Sequence, residues 1–206
     1  MLLFSIPTTV LFYALVEQTL FAKACVCMTL TMMSFVTCYV NRDIVFTAPH
    51  LSGPGVIFTN DLLKTYFVVD ALYHIWKFGS KVRKDLLFHH IIIVFPFFII
   101  PRAVGITFPI MAEIYSTGAL FRLTPANDLK YRATMIITIR LFIWTTLFRM
   151  SFIENQEFIY VAFELIVSSS MLLLDAYWLK LIYAKVRNLR FPTTLPSTTV
   201  HSKGGL

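Results

Sequence analysis

From Leu2 to Val40 the chain carries only two charged side chains, Glu17 and Lys23. As one helix rising 1.5 Å per residue, the run would reach about 58 Å, nearly twice the ~30 Å hydrocarbon core of a bilayer. It is therefore expected to fold back around Glu17 and Lys23 and form two spans. The first, over 2–16, is short, and Ala22-Lys23-Ala24 resembles a small-residue cleavage site, so a signal sequence is the competing reading. No basic stretch precedes the apolar run, which favours the span. Further apolar runs at 61–78, 86–100, 104–121, 133–153 and 158–183 bring the expected number of spans to seven, or six without the first.

Composition points to the same class. Hydrophobic residues make up 57% of the 206 and charged residues 14%, against roughly 25% charged in a soluble domain. Mean hydropathy is +0.72. The 20 Phe, 9 Tyr and 3 Trp exclude a solvated, disordered chain. The predicted fold is an all-α membrane protein of about seven transmembrane helices around a central polar cavity. One domain covers 1–187, and a tail rich in Thr, Ser and Pro over 188–206 is expected to be disordered. Residues 42–59, with Pro49, Gly53, Pro54 and Gly55, read as a loop, and Pro96, Pro101 and Pro109 predict kinks.

The net charge of +7 sits in short loops and in the tail, which matches the positive-inside bias better than a nucleic-acid surface. That bias puts the 77–84 loop and the C-terminus in the cytosol. Cys25, Cys27 and Cys38 lie in one apolar stretch with no His or acid at ligand spacing, so neither a disulfide framework nor a zinc site is indicated. With no glycine-rich phosphate or dinucleotide loop either, no metal and no bound cofactor is expected.

Eight ionisable side chains nevertheless fall inside the expected spans: Asp70, His74, His89, His90, Glu113, Arg140, Glu164 and Asp175. A charge at mid-bilayer costs about 2.5–3.5 kcal/mol on insertion scales, so these groups need partners or water. Tyr66, Asp70, Tyr73, His74 and Lys77 form one stripe of a helix, and Glu164, Ser168, Met171 and Asp175 repeat the pattern nearer the C-terminus. Glu113, Ser116, Thr117 and Arg140 come from the spans between. Packing pairs such as Asp70–Arg140 or Glu113–His90 would contribute about 0.6 kcal/mol each. Eight such groups exceed what helix association needs, and a cavity lined by carboxylates, imidazoles and hydroxyls is the favoured reading. The adjacent His89 and His90 are the most specific local feature. A neutral imidazole can act as a base, or as a nucleophile toward an activated acyl group. Asp85 one turn away, or Asp70 or Glu113 across the bundle, would orient it.

Five stretches occur in order: Tyr66-Phe67-Val68-Val69-Asp70; Asp85-Leu86-Leu87-Phe88-His89-His90-Ile91; Ala112-Glu113-Ile114-Tyr115-Ser116-Thr117; Arg140-Leu141-Phe142; and Asp175-Ala176-Tyr177-Trp178. With them the chain resembles the TLC-domain family of polytopic membrane proteins, which includes the ceramide synthases, over roughly residues 20–185. The resemblance implies helices around a membrane cavity, transfer of an acyl group from acyl-CoA to a lipid amine, and His89 and His90 at the catalytic centre. Ala112-Glu113 stands where the synthases carry His-Asp, and no second acid follows. In this the chain is more similar to the non-synthase branches, implicated in membrane lipid composition. An endoplasmic-reticulum location is implied in the same way.

The expected function is lipid homeostasis, with membrane lipids as partners and acyl-CoA as a co-substrate. His89, His90, Asp70 and Glu113 are the expected catalytic residues. Tyr66, Tyr73, His74, Arg140, Glu164, Ser168 and Asp175 are expected to bind substrate. A lipid-binding regulator without turnover is the alternative. An ion-coupled transporter is a third, but it would be expected to show an inverted repeat, and none is visible.

Overall fold

A computed structural model of the chain describes residues 20–116, 128–150 and 158–190. These residues form helices joined by turns, with no strand among them. Helix is the expected outcome for apolar sequence away from water, because each segment then satisfies its own backbone N–H and C=O groups. Helix α1 (Leu20–Val40) is followed by a single turn, α2 (Arg42–Val45), and then by α3 (Val56–Phe78), α4 (Lys84–Ile99) and α5 (Val104–Glu113). After these come α6 (Leu129–Met135), α7 (Phe142–Met150) and α8 (Phe158–Arg190). A π-helical segment, Ile136–Leu141, joins α6 directly to α7, and residues 114–116 continue α5 in the same wide winding. The first expected span, Thr117 and residues 191–206 of the tail lie outside the described residues.

Among the described residues two helices are long and apolar enough to cross a membrane, Lys23–Val40 within α1 and Phe158–Arg187 within α8, and Val104–Ser116 is a shorter apolar helix. Helix α3 is long enough but carries Asp61, Lys64, Asp70 and Lys77. The 16 residues of α4 rise about 24 Å. Several boundaries differ from the expectation. Lys23 does not sit in a turn: α1 begins at Leu20 and runs through it. The expected loop over 42–59 holds α2 and the first turn of α3, which starts after Gly55 takes a left-handed φ of 75°. Helix α8 continues to Arg190, past the predicted end at 183. Pro96 and Pro109 lie inside α4 and α5, which continue beyond them.

Polar side chains hold the helices in register from within. Asn60 on α3 donates to the carbonyls of Pro101 (3.1 Å) and Ala103 (3.2 Å) and accepts from Thr107 (2.8 Å), tying the α4–α5 turn to α3. The hydroxyls of Thr37 and Thr59 meet at 2.7 Å between α1 and α3. Other hydroxyls, such as those of Thr31 and Ser34, bond back to the carbonyl four residues earlier, which satisfies them within their own helix. Asp70, His89, His90, Glu113, Arg140, Glu164 and Asp175 are all buried, whereas Phe35, Trp76, Ile91, Phe98 and Leu173 are exposed. A water-soluble domain distributes these residue types the other way round.

Candidate functional site

The histidine pair starts in the second turn of α4, so its two rings leave the helix in different directions. The rings stand perpendicular, 5.3 Å apart between centroids. His90 points toward α3, where its Nε2 lies 3.0 Å from Asp70 Oδ2, and its Nδ1 lies 2.7 Å from the Leu86 carbonyl oxygen. A carbonyl only accepts, so Nδ1 carries a hydrogen. The 3.0 Å contact sets the other ring nitrogen, Nε2, directly against the Asp70 carboxylate. Asp70 is further faced by His74 at 3.6 Å and by Lys23 of α1 at 3.8 Å.

His89 belongs to a different set of charges. Its Nε2 is 3.4 Å from Glu113 Oε1 at the end of α5. Arg140 lies 2.9 Å from that same oxygen and 2.7 Å from Asp175 Oδ1 on α8. Exposure of these three residues is 1% for Glu113, 1% for Arg140 and 0% for Asp175, so the guanidinium is fully enclosed between two acids. Arg140 sits in the π-helical segment, and Glu113 immediately precedes the other one. Such wide turns re-aim side chains within a helix and recur at functional sites. His89 Nδ1 is buried and has no hydrogen-bond partner among the described residues. Trp178 closes this side of the cluster. Its ring lies 5.5 Å from His89 and 4.8 Å from the Arg140 guanidinium, and its Nε1 donates to Asp85 at 2.7 Å.

Asp85 therefore does not orient His89, as its one-turn spacing suggested. It pairs with Arg83 and Trp178 instead. Burial would raise its pKa, but the hydrogen bonds from Arg83 and Trp178 outweigh this and hold the carboxyl below its ordinary value. The packing pairs Asp70–Arg140 and Glu113–His90 are likewise replaced by Asp70–His90 and Glu113–Arg140.

The structure gathers Asp70, His74, His89, His90, Glu113, Arg140 and Asp175 into this cluster. Other expected substrate-binding residues lie elsewhere. Tyr66 is buried against Cys27, with hydroxyl and sulfur 3.2 Å apart. Tyr73 accepts a hydrogen bond from Lys77 at 2.7 Å and lies under Lys23. Glu164 and Ser168 are two to three turns from Asp175 along α8, roughly 10–16 Å away. Ser168 donates back to the Glu164 carbonyl, and Glu164 lines a small apolar cavity with Ile93, Trp144 and Tyr160. That cavity measures about 30 Å³, room for a water or two. The expected open polar chamber is thus replaced by acids and bases in direct contact. Lys23 and Trp178 were not among the expected site residues. The sequence places Lys23 at a turn, and Trp178 enters it only as the last residue of the stretch Asp175-Ala176-Tyr177-Trp178, with no role of its own.

The roomier space is lateral. Between α3 and α4 a groove of about 420 Å³ is walled by Val68, Leu72, Ile75, Ile91 and Phe95, with His90 among its lining. Compared with known proteins, the chain matches no family model, no curated protein and no solved structure.

Proposed function

We propose that the chain is a TLC-type, multi-pass membrane protein of lipid homeostasis that holds a lipid acyl chain against its imidazole pair and passes an acyl group through it. The observation that carries this reading is the difference between two adjacent imidazoles. His89 keeps Nδ1 without a hydrogen-bond partner among the described residues, while both ring nitrogens of His90 are engaged, by Asp70 and by the Leu86 carbonyl. Acyl transfer uses such a combination, a nucleophile beside a proton donor.

In the proposed step, the packing around His89 parts to admit an acyl thioester such as acyl-CoA from the groove beside His90, and His89 Nδ1 attacks its carbonyl carbon. The electron pair of the C–S bond leaves with the thiolate, and the proton held between His90 and Asp70 passes to the sulfur. The hydrogen on His89 Nε2 stays directed at Glu113, whose charge steadies the acyl-imidazolium. An amine or hydroxyl of an acceptor lipid then takes the acyl group, and its proton returns to His90 and Asp70. Arg140, held by Glu113 and Asp175, balances the acids. The groove between α3 and α4 takes the hydrocarbon chain, since its walls continue into the exposed apolar surface.

Buried charges beneath exposed Phe, Trp and Leu support a lipid surround for the bundle. The seven-span arrangement, a cytosolic C-terminus and an endoplasmic-reticulum location belong to the same proposal. A regulator that binds lipid without turnover is the second reading, favoured by the direct packing of Glu113, Arg140 and Asp175 and by the small inner cavity. Lipidomics on cells expressing wild type or His89→Ala/His90→Ala at matched levels separates the two. A shift in one acyl-bearing lipid class with wild type alone is the expected result. Equal shifts transfer the case to the regulator, and no shift with either protein overturns both readings.

A further inference from the structure

Beyond the histidine cluster, a pocket of about 360 Å³ opens where α4 begins, between α6, the π-helical segment and α8. Arg83, Arg132 and Lys185 line it, over an apolar floor that includes Leu86, Ile136 and Trp178. The volume lies within the range of small-molecule sites. An ordinary positive-inside bias places cations along loops, from which their side chains snorkel outward. Here three cations from three separate segments converge on one concavity. Arg83 also pairs with Asp85, and Arg132 and Lys185 line the same concavity.

We infer that this basin binds the phosphate of an amphiphile, with the headgroup on Arg132, Lys185 and Arg83 and the hydrocarbon against the floor. Guanidinium and ammonium groups are the usual phosphate partners, and basic pockets between membrane helices take anionic lipid headgroups. The hydrocarbon of a bound amphiphile rests on the indole of Trp178, whose ring also contacts His89 and Arg140. The inference rests on the membrane reading above and is independent of acyl transfer.

Native mass spectrometry of the full chain in detergent with equal amounts of phosphatidylglycerol and phosphatidylcholine tests it. Wild type is expected to retain phosphatidylglycerol about tenfold more, a difference worth about 1.4 kcal/mol. Arg132→Gln/Lys185→Gln should lose that preference. Arg132→Lys, which keeps the charge, and Lys81→Gln/Arg102→Gln, which removes exposed charges elsewhere, should both retain it. Size-exclusion elution at the wild-type volume shows that each variant is folded. No preference in wild type, an undiminished preference in Arg132→Gln/Lys185→Gln, or an equal loss in Lys81→Gln/Arg102→Gln overturns the basin. Added palmitoyl-CoA distinguishes the two sources of phosphate: displacement of bound lipid assigns the basin to a soluble phosphate amphiphile, and its failure assigns it to a membrane lipid. Alkaline carbonate washing of membranes, run in parallel, tests the membrane reading separately, since a protein released by the wash refutes that reading alone.

Discussion

Replacing Arg140 by methionine removes a charge that two acids share and preserves much of the side-chain volume. Arg140 is 1% exposed and stands 2.9 Å from Glu113 and 2.7 Å from Asp175. Without it, two carboxylates are buried with their cation gone. Removing one partner of a buried pair costs about 3–5 kcal/mol. His89 stays 3.4 Å from Glu113 and can offset part of the loss there, so the stranded charge on Asp175 sets the minimum. For a chain of this size each kcal/mol moves the unfolding midpoint by about 2–4 °C, so the expected fall is roughly 6–20 °C. Fluorescence-detected size exclusion after heating in detergent measures it. The charge-free triple variant Arg140→Met/Glu113→Gln/Asp175→Asn should recover most of the loss, because no buried acid is then left uncompensated. A single variant within about 2 °C of wild type, or a triple variant no more stable than the single, refutes the claim that Arg140 exists to compensate these acids.

Gly105→Ala should destabilise by about 1–3 kcal/mol through overpacking, because a Cβ there would stand 1.9 Å from the Tyr160 hydroxyl and 2.6 Å from Pro49 Cβ. Adding Tyr160→Phe should recover part of the lost midpoint. Asn60→Ala leaves the Pro101 and Ala103 carbonyls and the Thr107 hydroxyl without their partner, at an expected cost of about 1–3 kcal/mol in the same thermal assay. Asp85 has a carboxyl held below its ordinary value, so its contribution is complete above the unfolded value near 3.8 and is lost as pH falls through the lower folded value. The stability of Asp85→Asn should therefore fall less steeply than that of wild type in denaturant titrations as the pH is lowered through and below the unfolded value near 3.8.

Helix positions were legible wherever charge-free runs were long, because burial of backbone polar groups leaves a helix as the available structure. The stripe of Asp70 and His74 on α3 also followed from spacing alone. Partner choice did not. Asp85 and His89 are one turn apart, yet Asp85 is taken by Arg83 and by Trp178, a residue 93 positions away. A contact across so many residues leaves no mark in local spacing. Lys23 looked like a break in an apolar run, and α1 tolerates it because Asp70 supplies a countercharge from α3. The π-helical windings beside Glu113 and at Arg140 have no residue pattern that announces them. The role of Asn60, bonding the α4–α5 turn, has no signature in the sequence, because it depends on where that turn passes.

The central claim is that His89 receives an acyl group while His90 supplies the proton. Rapid mixing of purified protein with radiolabelled palmitoyl-CoA, following released thiol and protein-bound label through the first turnover, tests it most directly. Wild type should show a stoichiometric burst of thiol with label retained on the protein, and His89→Ala should show neither. His90→Ala should slow the burst by about 10²–10⁴-fold, the usual range for a lost proton donor. A His89→Ala burst equal to that of wild type would contradict the account.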